Sequence, residues 1–516
     1  MDDPRTRLAI RCCAEIVYDY PSESPGGTTM APAHFTPALN LIDGTWRDAD
    51  ERRLSYDPAT GDVMGEYAFA TRADTEDAIR AARSAFHTTE WATDRRLRAK
   101  VLGAMADAVE ANRAALIDLL SLDNGKIKRE ATFEIDMVAP KLRWWAAMAL
   151  ADSAGRASDM GQGRTSIVLR EPVGVAGVIV PFNAPVILAV RSLAPALAAG
   201  TTAVVKYPEE TAQICALFTR IIAEVDDLPD GVLNTVVTDG SGGSVLVESP
   251  DVPVISFTGS TTTGRAIAAA GADRLKRFGL ELGGKSPMIV FESADLDAAV
   301  PVLTDAVTVF AGQFCMAGSR LLVHESLAED LGKRLRTSFE AVRPGPASDP
   351  ASDMGPLISR QNVERVDAVV REAISMGAEV IVRGGPSDDP RLRGGAFYDP
   401  TVLAVRDNSL PIVQRETFGP VLTVQTFRTE DEAIALANST EYGLAASIWT
   451  RDVDQPLRVA RRIEAGTVWI NDWAAVHDEF EEGGYKQSGL GRLNGLAALE
   501  NFVEYKHIAF APAHRY

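Results

Sequence analysis

The sequence predicts an α/β fold with two parallel sheets, each belonging to its own domain. Apolar strand patterns and amphipathic helical patterns alternate along residues 173–282, with strands expected at 173–180, 202–206, 233–237, 254–257 and 276–280. A second alternating series runs from residue 288 to residue 471. This alternation is typical of parallel sheets covered by helices on both faces, whose ligands bind beyond the carboxyl ends of the strands. We expect the seam between the domains near residue 283.

The length and composition limit the classes of function. A chain of 516 residues is long enough for two or three domains. Its 46% hydrophobic and 24% charged residues are typical of a soluble globular protein. The net charge of −19 argues against a nucleic-acid partner and against an anionic membrane partner, because both require basic surface.

The N-terminal region and the cysteines indicate the compartment. Residues 1–37 are rich in Pro, Ser, Gly and Thr after Tyr20, so we expect a disordered extension, and Met30 is a possible natural start. No signal peptide is evident. The cysteines (12, 13, 215 and 315) show neither a disulfide framework nor metal-ligand spacing, so we expect a cytoplasmic protein without a metal site. The apolar residues 173–190 contain Pro181 and Pro185, and we interpret them as a strand, a turn and a helix start instead of a membrane span.

Residues 38–150 precede the alternating series. We expect strands at 41–46 and 63–68, then helices from a cap at Asp74 or Thr75 to residue 86, over 95–112 and over 131–150. Residues 154–169 break this pattern and predict an excursion from the domain. The series after residue 284 predicts helices at 296–310, 327–339 and 363–375, and strands at 288–291, 321–324 and 421–427.

Cys315 is the candidate nucleophile. It lies in Gly312-Gln313-Phe314-Cys315-Met316-Ala317-Gly318-Ser319-Arg320, a junction between a helical run and a short strand. A thiol at such a junction can be exposed toward a substrate, whereas Cys215 lies on an amphipathic helix and is interpreted as core.

Two further side chains could act with that thiol. Glu281 ends a strand among apolar residues and glycines, where burial raises the pKa of a carboxyl group and suits it to be a general base. Asn183 lies at a strand-to-helix turn and could donate to an oxyanion. Each has an ordinary alternative: Glu281 could cap a turn, and Asn183 could be the N-cap of a helix with Pro185 in its first turn.

Nucleotide motifs are absent or ambiguous. Residues 279–286 match the P-loop pattern, but Pro287 and a strand follow where a helix is required, so we reject that site. No glycine-rich dinucleotide fingerprint is present. Lys206 and Glu209 could hold the two hydroxyls of a ribose or form a solvated charge pair. Gly259 and Ser260 open a helix and could admit a phosphate or form a plain turn.

Together these stretches resemble the aldehyde dehydrogenase superfamily over residues 38–510. The resemblance rests on seven motifs in order: 181–185, 206–209, 257–261, 281–287, 312–320, Glu416-Thr417-Phe418-Gly419-Pro420 and Gly483-Gly484-Tyr485-Lys486-Gln487-Ser488-Gly489. It implies an NAD-binding domain (38–150 and 171–283), a catalytic domain (284–482) and an oligomerisation arm (151–170 and 498–516).

The resemblance also implies a role for each matched residue. Cys315 is similar to the catalytic thiol, Glu281 to the general base and Asn183 to the oxyanion-hole amide. The implied cofactor-binding residues are Val180, Phe182, Lys206, Glu209, Gly259, Ser260, Leu282, Gly283, Glu416 and Phe418. Glu209 favours NAD over NADP, because its carboxylate would repel a 2′-phosphate.

The implied reaction is oxidation of an aldehyde to an acid through a thioester on Cys315. We expect Phe314, Met316, Trp473 and Trp145 (or Trp144) to line the substrate site, which favours an apolar or aromatic aldehyde. The acidic cluster, defined as Asp472, Asp478, Glu479, Glu481 and Glu482, could instead favour a betaine or amino aldehyde, or could be surface charge only. The expected assembly is a homodimer or homotetramer.

The chain departs from the family pattern at several positions. These are Phe182 for Trp, Tyr207 for Pro, Thr262 for Glu, Glu481-Glu482 for Pro plus an aromatic residue, and Leu493 for Glu. They put the substrate preference and the subunit contacts in question. Two other classes remain open: a thiol hydrolase without cofactor, in which a distant His could assist the thiol, and a non-catalytic structural relative.

Overall fold

The computed structural model describes residues 37–151 and 155–511. The predicted extension over residues 1–37 therefore lies outside the described residues except for Pro37. The α-helices are α1 (Arg72–Thr88), α2 (Arg95–Ala111), α3 (Arg113–Asn124), α4 (Lys128–Asp136), α5 (Val138–Ala151), α6 (Pro185–Ala199), α7 (Ala212–Ala223), α8 (Gly240–Glu248), α9 (Thr261–Gly271), α10 (Leu296–Thr308), α11 (Ala328–Glu340), α12 (Arg360–Ser375), α13 (Pro411–Gln414), α14 (Glu430–Ala437) and α15 (Gln455–Ala460).

The strands are grouped into two large sheets and several small ones. They are β1 (Asn40–Ile42), β2 (Thr45–Arg47), β3 (Arg52–Tyr56), β4 (Val63–Ala68), β5 (Arg156–Gly161), β6 (Arg164–Pro172), β7 (Val175–Ile179), β8 (Thr202–Tyr207), β9 (Leu233–Val237), β10 (Val254–Thr258), β11 (Arg277–Glu281), β12 (Pro287–Val290), β13 (Arg320–His324), β14 (Glu379–Val382), β15 (Gly385–Pro386), β16 (Tyr398–Asp399), β17 (Thr401–Ala404), β18 (Val421–Phe427), β19 (Tyr442–Gly443), β20 (Ala445–Trp449), β21 (Thr467–Ile470), β22 (Tyr485–Lys486), β23 (Gly489–Leu490) and β24 (Val503–Phe510).

The first large sheet has the strand order β2-β1-β9-β8-β7-β10-β11-β23. Its central pairs are parallel, and β7, β9 and β10 are buried along their whole length. Burial on both faces explains why these strands are continuous apolar runs instead of alternating ones. The carboxyl ends of β7, β8, β10 and β11 therefore meet at one edge.

The second large sheet has the order β14-β17-β18-β13-β12-β20-β21, with β14 antiparallel at its edge. Residues 282–286 pass from β11 of the first sheet to β12 of the second. Near the end of the chain, β23 returns to the first sheet and pairs Gly489 with Glu281. The predicted α/β class with two parallel-sheet layers is confirmed.

A three-stranded antiparallel sheet extends from the first layer. Strand β6 pairs with β5 and with β24, from Pro172 opposite Val503 to Thr165 opposite Phe510. Every residue of β5 is exposed, so this sheet has little core of its own.

Four local predictions need correction. The single strand expected over 41–46 is an antiparallel hairpin of β1 and β2, because Asp43 and Gly44 both have positive φ and form a tight turn. Helix α1 begins at Arg72, because Thr71 is the N-cap and Asp74 completes its capping box. Helix α3 was missed because it begins directly after Asn112, and it ends at Asn124, followed by the C-cap Gly125, whose φ of 81° is left-handed. The single helix expected over 131–150 is two helices, α4 and α5, divided at Met137.

No helix among the described residues is long and apolar enough to cross a membrane. Residues 173–190 form β7, a turn and the beginning of α6.

Gly312 provides a test of the chain path before Cys315. Its φ is +72°, and an added Cβ would lie 2.2 Å from the carbonyl carbon of Gly419. The left-handed conformation alone costs about 1–2 kcal/mol for an alanine, and the backbone overlap adds to it. We expect Gly312→Ala to lower the midpoint of thermal unfolding. Gly332→Ala is the matched control, since no atom lies within 4 Å of its added Cβ and α11 favours alanine. A midpoint for Gly312→Ala that equals or exceeds that of the wild-type protein, as is expected for Gly332→Ala, would contradict the chain path described.

Candidate active site

The backbone before Cys315 bends sharply. Helix α10 ends at Thr308, and Phe310 and Ala311 both have φ of 52°, in the left-handed region. This conformation is uncommon outside glycine and clusters at functional sites. The bend carries the chain out of the helix, so that Cys315 is half-buried whereas Cys215 is fully buried.

Glu130 of α4 holds this bend. Its Oε1 accepts a hydrogen bond from the Phe310 N–H at 2.8 Å. The Gln313 side chain braces the same loop, donating to the Phe310 carbonyl at 3.2 Å and accepting from the Ile358 N–H at 3.0 Å. The unusual backbone is thus fixed by buried hydrogen bonds before any ligand binds.

Asn183 lies in the turn between β7 and α6. The N-cap of α6 is Ala184, which makes no side-chain capping bond, and Pro185 is the first helical residue. The alternative that Asn183 is the N-cap is therefore wrong. Its side chain is buried, 5% exposed, and makes no hydrogen bond to any described residue. A buried amide without a partner is available to a ligand.

Glu134 of α4 takes over the capping role. Its Oε1 accepts from the N–H groups of Val186 at 2.9 Å and Ile187 at 3.2 Å. Asn124 donates to the Phe182 carbonyl at 2.7 Å and fixes the other side of the turn. Glu130 and Glu134 are one helical turn apart, so α4 positions the Asn183 turn and the Cys315 loop together.

Glu281 is the last residue of β11, as predicted from its place after an apolar run. Its backbone is fixed by hydrogen bonds from Gly259 N–H to its carbonyl at 3.0 Å and from Leu282 N–H to Ser488 O at 2.9 Å. The carboxyl group is 2% exposed, and its Oε1 has no hydrogen-bond partner among the described residues. Burial raises the pKa of Glu281 to about 8, opposed by the positive charges of Arg191 and Arg492 and reinforced by Glu482.

The same charges act on Cys315. Burial raises the pKa of the Cys315 thiol to about 12; Arg191 opposes this shift, and the carboxylates of Glu482, Glu281 and Glu416 reinforce it. An added Cβ on Gly284 would lie 2.6 Å from the Cys315 carbonyl oxygen, so the chain leaving Glu281 passes directly beside the thiol residue. The proposed nucleophile, Cys315, and the proposed base, Glu281, therefore interact electrostatically and share the same neighbouring charges.

The predicted binding site for the adenosine part of NAD lies where β7 and β8 end. Lys206 is near the end of β8, and its carbonyl accepts from the Val180 N–H at 3.0 Å. Its ammonium is half-buried without a hydrogen-bond partner among the described residues, and burial lowers its pKa despite the nearby carboxylates of Glu210, Glu209 and Asp239. A partly buried, unpartnered ammonium at this edge fits the hydroxyl groups of a bound ribose.

Glu209 is held by two residues that were not predicted. Arg53 donates to its Oε1 at 2.6 Å, and the Tyr67 hydroxyl donates to the same oxygen at 2.8 Å. Arg53 and Tyr67 are cross-strand partners in the β3–β4 hairpin, and the Arg53 guanidinium stacks 3.4 Å from the centre of the Phe69 ring. The second carboxylate oxygen is left for a ligand.

Gly259 and Ser260 connect β10 to α9. The Ser260 hydroxyl accepts from the Thr263 N–H at 3.1 Å and is the N-cap. Gly259 is needed because an added Cβ would lie 2.5 Å from the Phe257 ring. Buried Leu282 packs on the same helix, against Gly264.

Glu416 and Phe418 approach from the second sheet. Glu416 accepts from the Gly284 N–H at 3.1 Å, and an added Cβ on Gly283 would lie 2.4 Å from its Oε2. Burial raises the pKa of Glu416 to about 7, opposed by the Gly284 hydrogen bond and by Lys285 and Arg365. The Phe418 ring meets Phe182 edge to face at 6.0 Å, so two predicted cofactor residues from different layers are in contact.

Three of the four predicted substrate residues lie together. Phe314 and Trp473 make an edge-to-face contact at 5.6 Å, and the Trp473 indole N–H donates to the Met316 carbonyl at 3.1 Å. Trp145 is fully buried in the larger core, where its indole N–H has no partner among the described residues. Its place in the substrate site stays a prediction.

Most of the acidic cluster is neutralised or hydrogen-bonded. Buried Glu482 pairs with Arg191, and Asp478 pairs with buried Lys141. Asp472 accepts from the Trp473 N–H at 2.7 Å, while Glu479 is exposed. The interpretation of the whole cluster as surface charge is therefore wrong, and its two paired members do not offer free negative charge to a cation.

The sequence reasoning missed Arg191, Arg53, Glu130 and Glu134. Arg191 gave one usable signal, since it is the single charged residue of the buried helix α6 and lies two turns after Asn183. The partners of Arg53 and Glu130 lie 156 and 180 residues away, so no local pattern links them.

Comparison with known proteins agrees with this geometry. The model of the aldehyde dehydrogenase family matches residues 46–508. Betaine aldehyde dehydrogenase of Bacillus subtilis is 38% identical over 472 residues, covering 91% of this chain and 96% of that protein. Hydroxyisobutyraldehyde dehydrogenase of Mycolicibacterium austroafricanum is 37% identical over 481 residues, covering 92% and 94%.

Solved structures show the same architecture. The crystal structure of betaine aldehyde dehydrogenase from Staphylococcus aureus in complex with NAD⁺ is 36% identical, with a TM-score of 0.89 over 92% of this chain and 94% of that one. HpcC from Thermus thermophilus is 35% identical, with a TM-score of 0.89 over 93% and 94%. The resemblance drawn from the seven motifs is confirmed, and the chain belongs to the aldehyde dehydrogenase family.

Proposed function

We propose that this protein oxidises an aldehyde to a carboxylic acid with NAD as the hydride acceptor. The observation that carries the proposal is the pairing of a half-buried thiol, Cys315, with a buried carboxyl, Glu281, whose Oε1 has no partner among the described residues and whose pKa is raised to about 8. A base poised near neutral pH beside a nucleophile is the arrangement that acyl transfer requires.

The first step belongs to Cys315. Its thiolate attacks the aldehyde carbon and forms a C–S bond, while the carbonyl oxygen gains the negative charge. The high pKa of the free thiol means that its proton must pass to solvent before the attack, and the positive charge of Arg191, which opposes the raised pKa, favours the thiolate. Loss of a hydride from the substrate carbon then leaves a thioester on Cys315.

Asn183 stabilises the oxyanion in this scheme. Its buried amide has no competing partner among the described residues, so its N–H₂ can donate to the developing charge together with the Cys315 backbone N–H. The rigid support from Glu134 and Asn124 keeps this donor in place without reorganisation during the reaction.

Glu281 completes the cycle. It removes a proton from water, which attacks the thioester carbon. The C–S bond then breaks to release the acid and the Cys315 thiolate, and the proton passes from Glu281 to that thiolate to restore the thiol and the carboxylate. Because this role needs the carboxylate, deacylation should rise as pH increases through about 8 and fall below it.

NAD would accept the hydride, and this chain has residues that fit it. Lys206 and Glu209 would bind the adenine ribose, beside Val180 and Phe182. Gly259 and Ser260 would face the pyrophosphate at the N-terminus of α9. Glu416, Phe418, Leu282 and Gly283 would hold the nicotinamide riboside. The second oxygen of Glu209 would accept a hydrogen bond from a ribose hydroxyl and would disfavour a 2′-phosphate, so we propose NAD over NADP.

The substrate class we favour is a small cationic aldehyde of the betaine or amino type. Relatives named betaine aldehyde dehydrogenase and aminoaldehyde dehydrogenase support it. Since Glu482 and Asp478 are already paired, a cation would rest on the rings of Phe314 and Trp473. An apolar or aromatic aldehyde would use the same rings.

The domain and assembly predictions remain proposals. We propose that residues 38–150 and 171–283 form the cofactor domain and 284–482 the catalytic domain. We also propose that the β5–β6–β24 sheet, within 151–170 and 498–516, joins subunits in a homodimer or homotetramer, because its exposed strand β5 lies at the edge of that sheet. A cytoplasmic location remains the proposal that the cysteine usage supports.

The two other classes fit less well. A cofactor-independent thiol hydrolase would not need the Lys206 ammonium, which has no partner among the described residues, or the glycines packed on Glu416. A structural relative would not need the Asn183 amide to be buried without a partner in the described part of the chain, or a buried Glu281 with an unpartnered Oε1 to interact electrostatically with Cys315.

Glu281→Gln separates the two half-reactions. The amide cannot take a proton from water, so deacylation should slow by about 10²–10⁴-fold, while one equivalent of NADH is still released in a burst. Stopped-flow absorbance of NADH measures both phases. Cys315→Ser should lose the burst as well. Turnover of Glu281→Gln at the wild-type rate would contradict the assignment of the base.

An aldehyde panel read by NADH and NADPH absorbance tests the substrate and cofactor proposals. We expect the highest kcat/KM for betaine or amino aldehydes with NAD, and weaker activity with NADP. Glu209→Gln should reduce the preference for NAD, because the charge that repels the 2′-phosphate is removed. A preference for benzaldehyde over every cationic aldehyde would overturn the substrate class alone, whereas no cofactor reduction with any aldehyde would favour the hydrolase or the structural relative.

A further inference from the structure

A buried ion pair lies beside the proposed general base. Arg191 is 3% exposed, and its Nη1 donates to Glu482, which is 8% exposed. Its Nη2 donates to the Thr258 hydroxyl at 3.1 Å, while its Nε–H has no partner among the described residues. The pair joins α6 to the segment before β22, two parts of the chain that are 291 residues apart.

Both members of the pair lie next to the Glu281 carboxyl group. Thr258, which accepts from Arg191, is the parallel cross-strand partner of Glu281, so their side chains lie on the same face of the sheet. On the other side, Glu482 precedes Gly483, and an added Cβ at Gly483 would lie 3.0 Å from Glu281 Oε1. The base is therefore bracketed by one cation and one anion, and no described side chain donates a hydrogen bond to its Oε1.

We propose that the Arg191–Glu482 pair sets the protonation state of Glu281 during the reaction, with Arg191 favouring the carboxylate and Glu482 opposing it. This inference rests on the proposed function, in which Glu281 is the general base. Arg191 and Glu482 are positioning residues in this account, because they act through Glu281 and not on the substrate.

The charges around Glu281 support these opposite effects of Arg191 and Glu482 on its protonation. Burial alone would strongly favour the neutral carboxyl, which cannot accept a proton. Arg191 and Arg492 lower the pKa of Glu281, and Glu482 raises it; Cys315 adds a further negative charge when it ionises. An unopposed Arg191 would hold Glu281 as a weak base, and an unopposed Glu482 would keep it protonated near neutral pH. The pair keeps the carboxyl between these extremes.

Stability gives little reason to keep such a pair. Removing two charges from water costs as much as or more than their attraction returns, and well-packed apolar residues often replace buried ion pairs without loss. The Nε–H of Arg191, unpartnered within the described residues, adds to that cost. A role in the chemistry explains the pair better than a role in folding.

The test is the pH dependence of deacylation in Glu482→Gln, Arg191→Met and the double variant. Each protein is acylated at Cys315 with p-nitrophenyl acetate, and loss of the acetyl group from the Cys315 peptide is followed by mass spectrometry. This readout does not depend on NAD. The acidic limb of the rate should move by about one pH unit to lower pH in Glu482→Gln and to higher pH in Arg191→Met.

The opposite signs distinguish an electrostatic role from a structural one, since loss of stability would affect both variants alike. The double variant leaves no unpaired buried charge from this pair and should give a limb between those of the single variants, which preserves the test if a single variant fails to fold. Glu329→Gln is the matched control, because Glu329 forms an exposed pair with Lys333 on α11 and should leave the limb unchanged.

The inference is overturned if the limbs of the two single variants stay in place or move in the same direction. If neither single variant folds, the double variant, in which Arg492 is the remaining cation, provides the test. An acidic limb that lies more than about 0.5 pH unit from the wild-type position in that variant also overturns the inference. Failure of the proposed function gives a different result, namely unimpaired deacylation in Glu281→Gln.

Discussion

Two buried carboxylates on one short helix hold the whole site together. Glu130 and Glu134 of α4 accept hydrogen bonds from backbone N–H groups of the Cys315 loop and of the first turn of α6. Glu134 is also paired with buried Lys126, whose ammonium lies 3.9 Å from the centre of the Phe310 ring. A buried carboxylate is stable only with such partners. The hydrogen bonds that Glu130 and Glu134 accept therefore fix the thiol loop and the Asn183 turn relative to each other.

Burial changes the acid–base properties of the two reacting groups that this framework positions. It raises the pKa of both Glu281 and Cys315. The positive charge of Arg191 lowers both pKa values, the carboxylate of Glu482 raises both, and Glu416 raises that of Cys315. In water the same carboxyl would be a weak base near neutral pH. Exclusion of solvent is thus what makes Glu281 a base near neutral pH, while Arg191 offsets part of the raised pKa of the Cys315 thiol.

The sequence could reveal residues that stand at the ends of elements. Glu281 closes β11, Asn183 follows β7, and Cys315 follows the end of α10, so each was placed by the change from an apolar pattern to small and polar residues. What the sequence could not reveal are charges that meet across the fold. The Arg191–Glu482 and Arg53–Glu209 contacts join segments 291 and 156 residues apart, and Glu482 looked like one acid in an exposed run. The sequence also did not reveal how the N-terminus of α6 is capped, because the capping residue, Glu134, lies on another helix.

The central claim is that the aldehyde becomes an acyl group on Cys315 before water releases it. The most direct measurement is a rapid acid quench of wild-type enzyme during turnover, followed by peptide mass spectrometry. The account predicts an acyl group, equal to the aldehyde less one hydrogen, on the Cys315 peptide and not on the peptide that contains buried Cys215. NADH formation with no acyl group on Cys315, or with the group on another residue, would contradict it.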